Sequence, residues 1–294
     1  MSANKQPILF IIGKNGQVGS ELVERVNELS VDAVSFGSSE LDICNRAEVL
    51  KAISKYRPTI VINTAAYTAV DKAEHEPERA YAVNRDGVEN LAIACKAQNI
   101  PLIHISTDYV FDGEKNGPYV KSDAPNPAGV YGASKYAGER ILRATWDKHI
   151  ILRVSWVFGK NGNNFVKTML RLANERDELS IVDDQFAAPT PVDKIVTQLL
   201  RYALQDLSHF GLVHMESNPG VTRFEFAKKI FNQAEEAGLI AKKPILKAIS
   251  SKDFQAGAAR PANSKLSIGA DEKNCFPITW DDSLAAMLKG MVIT

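Results

Sequence analysis

Thr107, Tyr131 and Lys135 are the residues of this 294-residue chain whose types and spacing could together do chemistry. Tyr131 and Lys135 are four apart, so on a helix they share one face. A cation beside a phenol stabilises the phenolate and lowers its pKa from the usual ~10. A phenol tuned in this way can pass a proton to a carbonyl oxygen near neutral pH. Thr107 closes the apolar run PLIHIS and could hydrogen-bond the same oxygen. Alone, a Tyr-x-x-x-Lys spacing equally describes an amphipathic surface helix. Its company sets it apart: a strand ending in Thr upstream, and a glycine-rich turn near the N-terminus.

That turn is the first element needed to position them. Pro7 to Ile12 is a continuous apolar run, the pattern of a strand covered on both faces. GKNGQVG follows, then ELVERVNELS at helical period. Gly13 permits the tight turn, Gly16 lets backbone approach a pyrophosphate, and Gly19 allows helix to pack on strand. The helix N-terminus, with Gln17 and Val18, faces the anion. A strand, glycines and a helix in this order predict dinucleotide binding, although the spacing is GxxGxxG rather than GxGxxG.

Val31 to Phe36 predicts a second strand. An NAD site usually carries an acid at that strand's end. Here Ser35, Phe36, Gly37, Ser38 and Ser39 precede the first acid, Glu40, which favours NADPH over NADH. Lys14 and the serines could meet a 2′-phosphate, or Lys14 is a solvated loop charge. Asp42 is either near the adenine or a turn aspartate. Arg46 to Tyr56 predicts a helix, Thr59 to Ile62 a third strand, Pro77 to Ala97 a long helix and Pro101 to Ser106 the fourth strand. Small residues in NTAAYTAVD suit a loop against a ligand. The alternation means an α/β fold with a doubly wound, Rossmann-like parallel sheet. Ligands of such sheets lie at the carboxyl ends of the strands, where Gly13, Ala65 and Thr107 converge.

Beyond the Tyr131 helix, HIILRVSW predicts a strand ending at Trp156, a residue equally suited to stacking on a ring or to a core. NNFVKTMLRLANER predicts a helix capped by Asn163 or Asn164. Residues 1–157 form the expected dinucleotide-binding domain. Residues 158–294 form mainly a smaller mixed α/β substrate lobe, interleaved with the first.

Lys plus Arg equals Asp plus Glu at 35 each, which argues against nucleic acid or an anionic membrane as main partner. Cys44, Cys95 and Cys275 are scattered with no CxxC, as expected of reduced thiols in a cytoplasmic protein. No His pair has zinc-ligand spacing, and His104, inside an apolar strand, is expected to be a hydrogen-bonded core residue. MSANKQPILFII is too short in its apolar run for a signal peptide, and no stretch reaches the ~18 apolar residues of a membrane span.

GKNGQVG, NTAAYTAVDKAE, STDYVFDG, YGASK and RVSWVFG–GNNFVKTML, with DDQF–APT and RPANSKL, occur in this order. The set resembles the extended short-chain dehydrogenase/reductases, and among them the dTDP-4-dehydrorhamnose reductase family, from Ile8 to about Leu266. The resemblance implies NAD(P)H-dependent reduction of a dTDP-4-keto sugar in the synthesis of cell-surface polysaccharide precursors. It makes Tyr131 the proton donor and Lys135 the residue that tunes it and holds the nicotinamide ribose. Thr107 is placed on the substrate carbonyl, with Asp108 and Trp156 on the substrate. Gly16, Gln17 and Val18 match the pyrophosphate turn, and Asp42–Ile43 and Ala65–Ala66–Tyr67 match cofactor contacts. Some members dimerise around Mg²⁺ through acidic residues, including a pair near the C-terminus. MLKGMVIT carries no such pair and Asp193 alone matches, which weighs against a metal-bridged homodimer.

Three alternatives stay open: another dTDP-4-keto-6-deoxysugar as substrate, a dehydratase or epimerase of the same fold, and a non-catalytic NADP-binding regulatory subunit. Dehydratases of this superfamily place Asp-Glu after the Thr, whereas Asp108 and Tyr109 follow Thr107 here.

Overall fold

The computed structural model describes residues 7–205, 207, 209–254, 256–268 and 277–292. Cys275, the first six residues and the last two lie outside them.

Six parallel strands form the central sheet. They are β1 (Leu9–Ile12), β2 (Ala33–Phe36), β3 (Ile60–Asn63), β4 (Leu102–Thr107), β5 (His149–Val154) and a last strand, Gly211–His214. Their spatial order is Gly211–His214, β5, β4, β3, β1, β2, each pair in parallel register. The strand order reverses between β1 and β3, so a crevice opens beyond their carboxyl ends. Every residue of β1, β3 and β5 is buried, as in strands covered on both faces, with Asn63, His149 and Arg153 the buried polar residues among their apolar ones.

One face is covered by α1 (Gln17–Glu28) and the Val192–Leu204 helix, which bury Leu22, Val26, Ile195 and Leu199 against β1, β3 and β5. The other is covered by α2 (Arg46–Tyr56) and the Gly87–Ala97 helix, through Val49, Ile53, Leu91 and Cys95. A third apolar cluster joins the Phe165–Glu175, Arg223–Glu236 and Asp281–Val292 helices around Phe226, Phe231, Trp280 and Leu284. The chain passes repeatedly between these parts. After Phe165–Glu175 it returns to cover the sheet and add its sixth strand, then leaves again for Arg223–Glu236.

Two expectations need correction. The long helix from Pro77 is broken by a π-helical turn at Ala82–Asp86, between Pro77–Tyr81 and Gly87–Ala97. The strand through HIILRVSW ends at Val154, and Trp156 takes φ +43°, in the left-handed region. For a bulky residue that costs roughly 1–2 kcal/mol.

Candidate active site

A cleft of about 870 Å³ runs along the carboxyl ends of the strands. Gly13, Gly16, Gln17 and Val18 line one end, with Asp42 and Ile43 beside them. Ala65, Ala66 and Tyr67 form the wall after β3. Thr107, Asp108, Tyr131, Lys135 and Trp156 line the other end. Gly19 faces inward instead: a Cβ there would stand 2.1 Å from the Gly13 carbonyl oxygen. Gly13 needs its own φ of +89°, and a Cβ would stand 2.6 Å from the Ala65 nitrogen. At Gly16 an added Cβ would meet only the Gly13 oxygen, at 3.4 Å. The protein's own packing does not demand a glycine at position 16, so the space above the turn suits a ligand pressed against backbone. With the N-terminus of α1 beside it, the turn fits a pyrophosphate.

Around the second strand, the cleft reaches Gly37 and Ser38. Lys14 is held 2.7 Å from Glu40, whose other oxygen accepts the Gly37 N–H. The carboxylate nearest this strand's end is thus engaged by a cation and a backbone donor. Asp42 satisfies both of its readings: it lines the cleft, and its Oδ1 accepts the Cys44 N–H in a turn.

Tyr131 and Lys135 lie on the Val130–Thr145 helix, whose start is held from outside. Its Gly129 cap offers no side chain, and Glu74 of VDKAE accepts the Val130 N–H at 2.8 Å. A carboxylate there also complements the helix dipole. Gly132 lets this turn press onto the strand end: a Cβ would lie 2.0 Å from the Tyr109 carbonyl oxygen. Asp71 of the same VDKAE segment grips Arg260 of RPANSKL at 2.9 Å.

Asn84, buried in the π-helical turn, is a residue the sequence reading missed. It accepts the Tyr67 N–H, donates to the Tyr67 carbonyl and donates to Ser134 Oγ of YGASK. Ser134 in turn donates to the Tyr131 carbonyl. π turns of this kind concentrate at functional sites. This one joins the loop after β3 to the helix that carries Tyr131 and Lys135.

The Tyr131 hydroxyl shares a hydrogen bond with Thr107. Its surroundings push its pKa above the ordinary phenol value: removal from water is the largest cause, and Asp108 and Tyr109 add to it, while Thr107 pulls the other way. Lys135 is not among the groups that act on the phenol here. Lys135 Nζ instead donates to the Ile105 carbonyl at 2.7 Å and lies 3.3 Å from His104 Nε2. Burial lowers Lys135 to about 8, with Glu139 opposing.

Asp108 is buried and accepts from Ser264 Oγ at 2.5 Å and from Thr107 at 3.1 Å. Burial raises its carboxyl to about 6 against the pull of Ser264, Thr107 and Arg223. Arg223, also missed from sequence, lines the cleft with its guanidinium 3.6 Å from the centre of the Trp156 ring. It hydrogen-bonds Tyr109 as well. Trp156 thus lines the cleft with a cation on its ring while also packing against the third apolar cluster.

Asn164, not Asn163, caps the Phe165–Glu175 helix by accepting the Lys167 N–H. Its amide also donates to Gln17 Oε1 at 3.0 Å. Among the described residues no group of three or more His, Cys, Asp or Glu is placed to hold a metal ion. Asp193 accepts from Ser283.

A sequence model of the RmlD substrate binding domain matches residues 7–293. The chain belongs to the RmlD family. A dTDP-4-dehydrorhamnose reductase of Aggregatibacter actinomycetemcomitans is 43% identical over 265 residues, 88% of this chain and 90% of that protein. The dTDP-4-dehydrorhamnose reductase of Escherichia coli K12 is 37% identical, covering 97% of this chain and 98% of its own. The crystal structure of dTDP-4-dehydrorhamnose reductase from Bacillus anthracis in complex with NADP superposes with a TM-score of 0.90. It is 37% identical and covers 99% of this chain and 100% of that one. For this RmlD-family chain the Rossmann-like sheet, the glycine turn and the Thr–Tyr–Lys trio form one continuous cleft.

Proposed function

We propose that this chain reduces the C4 ketone of dTDP-4-dehydro-L-rhamnose to dTDP-L-rhamnose with NADPH, supplying a precursor of cell-surface polysaccharide in the cytoplasm. The observation that carries this reading is that Thr107, Tyr131 and Lys135 meet in the same cleft as the glycine turn, in a family whose named relatives are reductases of that sugar. No helix among the described residues is long and apolar enough to cross a membrane.

A bound reduced nicotinamide supplies the hydride; Gly13 to Val18, Asp42–Ile43 and Ala65–Tyr67 are positioned to hold the dinucleotide. Tyr131 gives its proton to the C4 oxygen as negative charge develops there, and Thr107 hydrogen-bonds that oxygen. The raised proton affinity of Tyr131 keeps it protonated before reaction, so it acts as an acid. Lys135, anchored on Ile105, fixes the cofactor's ribose and brings positive charge into the cleft. Asp108, Trp156 and Arg223 orient the sugar nucleotide at the far end. Purified protein given dTDP-4-dehydro-L-rhamnose and NADPH should consume both, with dTDP-L-rhamnose identified by NMR. Binding of NADPH without turnover, on this substrate and on other dTDP-4-keto-6-deoxysugars, would sink the reading.

A further inference from the structure

The end of β2 is where a Rossmann-like sheet receives the adenosine ribose, and an acid there holds the 2′-hydroxyl of NAD. In this chain Gly37 follows the strand, and the first acid stands three residues further on, at Glu40. The space above Gly37 belongs to Asn15: a Cβ at Gly37 would stand 2.5 Å from Asn15 Nδ2. Asn15, Gly37 and Ser38 all line the cleft. The ribose end of a dinucleotide thus meets an amide, a backbone turn and a hydroxyl rather than a carboxylate.

Glu40 is fixed beside them. Its Oε2 accepts the Gly37 N–H at 2.7 Å, and its own N–H donates to the Gly37 carbonyl at 3.0 Å. The carboxylate is in this way closed onto its own turn. Its Oε1 takes Lys14 Nζ at 2.7 Å. Lys14 is tied at its base, where its N–H donates to the Phe36 carbonyl at 3.2 Å. Its four-carbon stem lets the ammonium change partner. The Gly37 N–H, and then Lys14, hold the Glu40 carboxyl below the usual carboxylate range, so it is charged at neutral pH. The cation nearest the ribose end is therefore already engaged by an anion that its own turn holds in place.

We infer that Glu40 is a specificity-determining residue that moderates the preference for NADPH over NADH, by holding Lys14 and by placing a negative charge beside the 2′-phosphate. NADPH gains Lys14 only by drawing it from Glu40, and its phosphate still faces that carboxylate. NADH carries a hydroxyl at the same place and incurs neither cost.

The inference rests on the cofactor part of the reductase reading and is independent of the sugar. Its test is binding without substrate: NADPH and NADH titrated into the full chain, followed by nicotinamide fluorescence, for the parent, Glu40→Gln and Lys14→Gln. Glutamine at this exposed position keeps an acceptor for the Gly37 N–H, so the turn is retained while the charge goes. The ratio of the NADH to the NADPH dissociation constant should rise about fivefold in Glu40→Gln at low salt, the upper range for one exposed charge. The rise should shrink in about 0.5 M NaCl, where exposed charges are screened. In Lys14→Gln the ratio should fall below that of the parent. A ratio that stays in place or falls in Glu40→Gln overturns the inference, a fall meaning that Glu40 seats Lys14 for the phosphate. A rise that salt leaves unchanged overturns it as well. A parent that binds neither cofactor removes the cofactor reading and this inference with it, whereas one that binds NADPH without reducing the sugar removes only the sugar assignment.

Discussion

Asn164 Nδ2 donates to Gln17 Oε1 at 3.0 Å, tying the cap of the Phe165–Glu175 helix to the first residue of α1. One side chain thus closes a helix terminus and braces the glycine turn. Nearby, Lys160 lies 2.6 Å from Glu24 and Asn161 donates to the same carboxylate, so the loop is strapped along α1. These exposed ion pairs are individually weak; the half-buried cap is the stronger contributor. Asn164→Ala should cost about 1–2 kcal/mol in urea denaturation and weaken NADPH binding. Unchanged NADPH affinity would show that the brace is structural only.

Gly13 and Gly16 should separate cleanly. Gly13→Ala forces a Cβ to 2.6 Å from Ala65 N at φ +89°. It should cost 2 kcal/mol or more, on the order of a strained, overpacked site. Gly16→Ala finds ordinary contact. Its thermal midpoint should stay near that of the parent while NADPH affinity falls roughly tenfold or more, ~1.4 kcal/mol. Equal loss of stability in both would refute the distinction.

His214 gives the fold an acid limit. Its Nε2 faces Arg153 at 3.2 Å, and its Nδ1 faces the Tyr119 and Ser267 carbonyls. Burial, with Arg153 adding, pushes its pKa down to about 4. The unfolded chain takes up this proton below about pH 6.5, so between pH 6.5 and 4 it binds more protons than the native state. Stability is fully present above that window and falls with pH through it, by roughly 3 kcal/mol at its end. His104 and His149, also lowered, act with the same sign. Urea midpoints measured from pH 7 to 4.5 should decline accordingly, and the His214 ring signals should not titrate above pH 5.

Asp108 predicts an acid limb in the kinetics. Its carboxyl, raised by burial to about 6, loses charge as pH falls through that value. Ser264→Ala removes a hydrogen bond that favours the carboxylate. The acid limb of kcat/KM should shift to higher pH in that variant, while a limb that stays in place assigns it to another group.

Much of this was legible because it is local. Thr107 at a strand end and Tyr131 and Lys135 one helical turn apart are set by periods of two and 3.6, which residue types reveal. The glycine turn was legible for the same reason. Asn84 was not, since hydrophobic periodicity does not encode a π turn. Nor was Arg223, whose place on Trp156 depends on a left-handed residue at the end of RVSW and on a helix 67 positions later. The partners of Lys135 were not legible either, because sequence spacing gives the face a side chain shares, not the partner it finds: Lys135 turns to Ile105 and His104.

The most direct test compares the parent with Tyr131→Phe by NADPH oxidation at 340 nm with dTDP-4-dehydro-L-rhamnose. The parent should turn over steadily. The variant should bind NADPH and substrate as the parent does and lose on the order of 10²–10⁴-fold in kcat. Near-parental turnover by Tyr131→Phe would contradict the account at its centre.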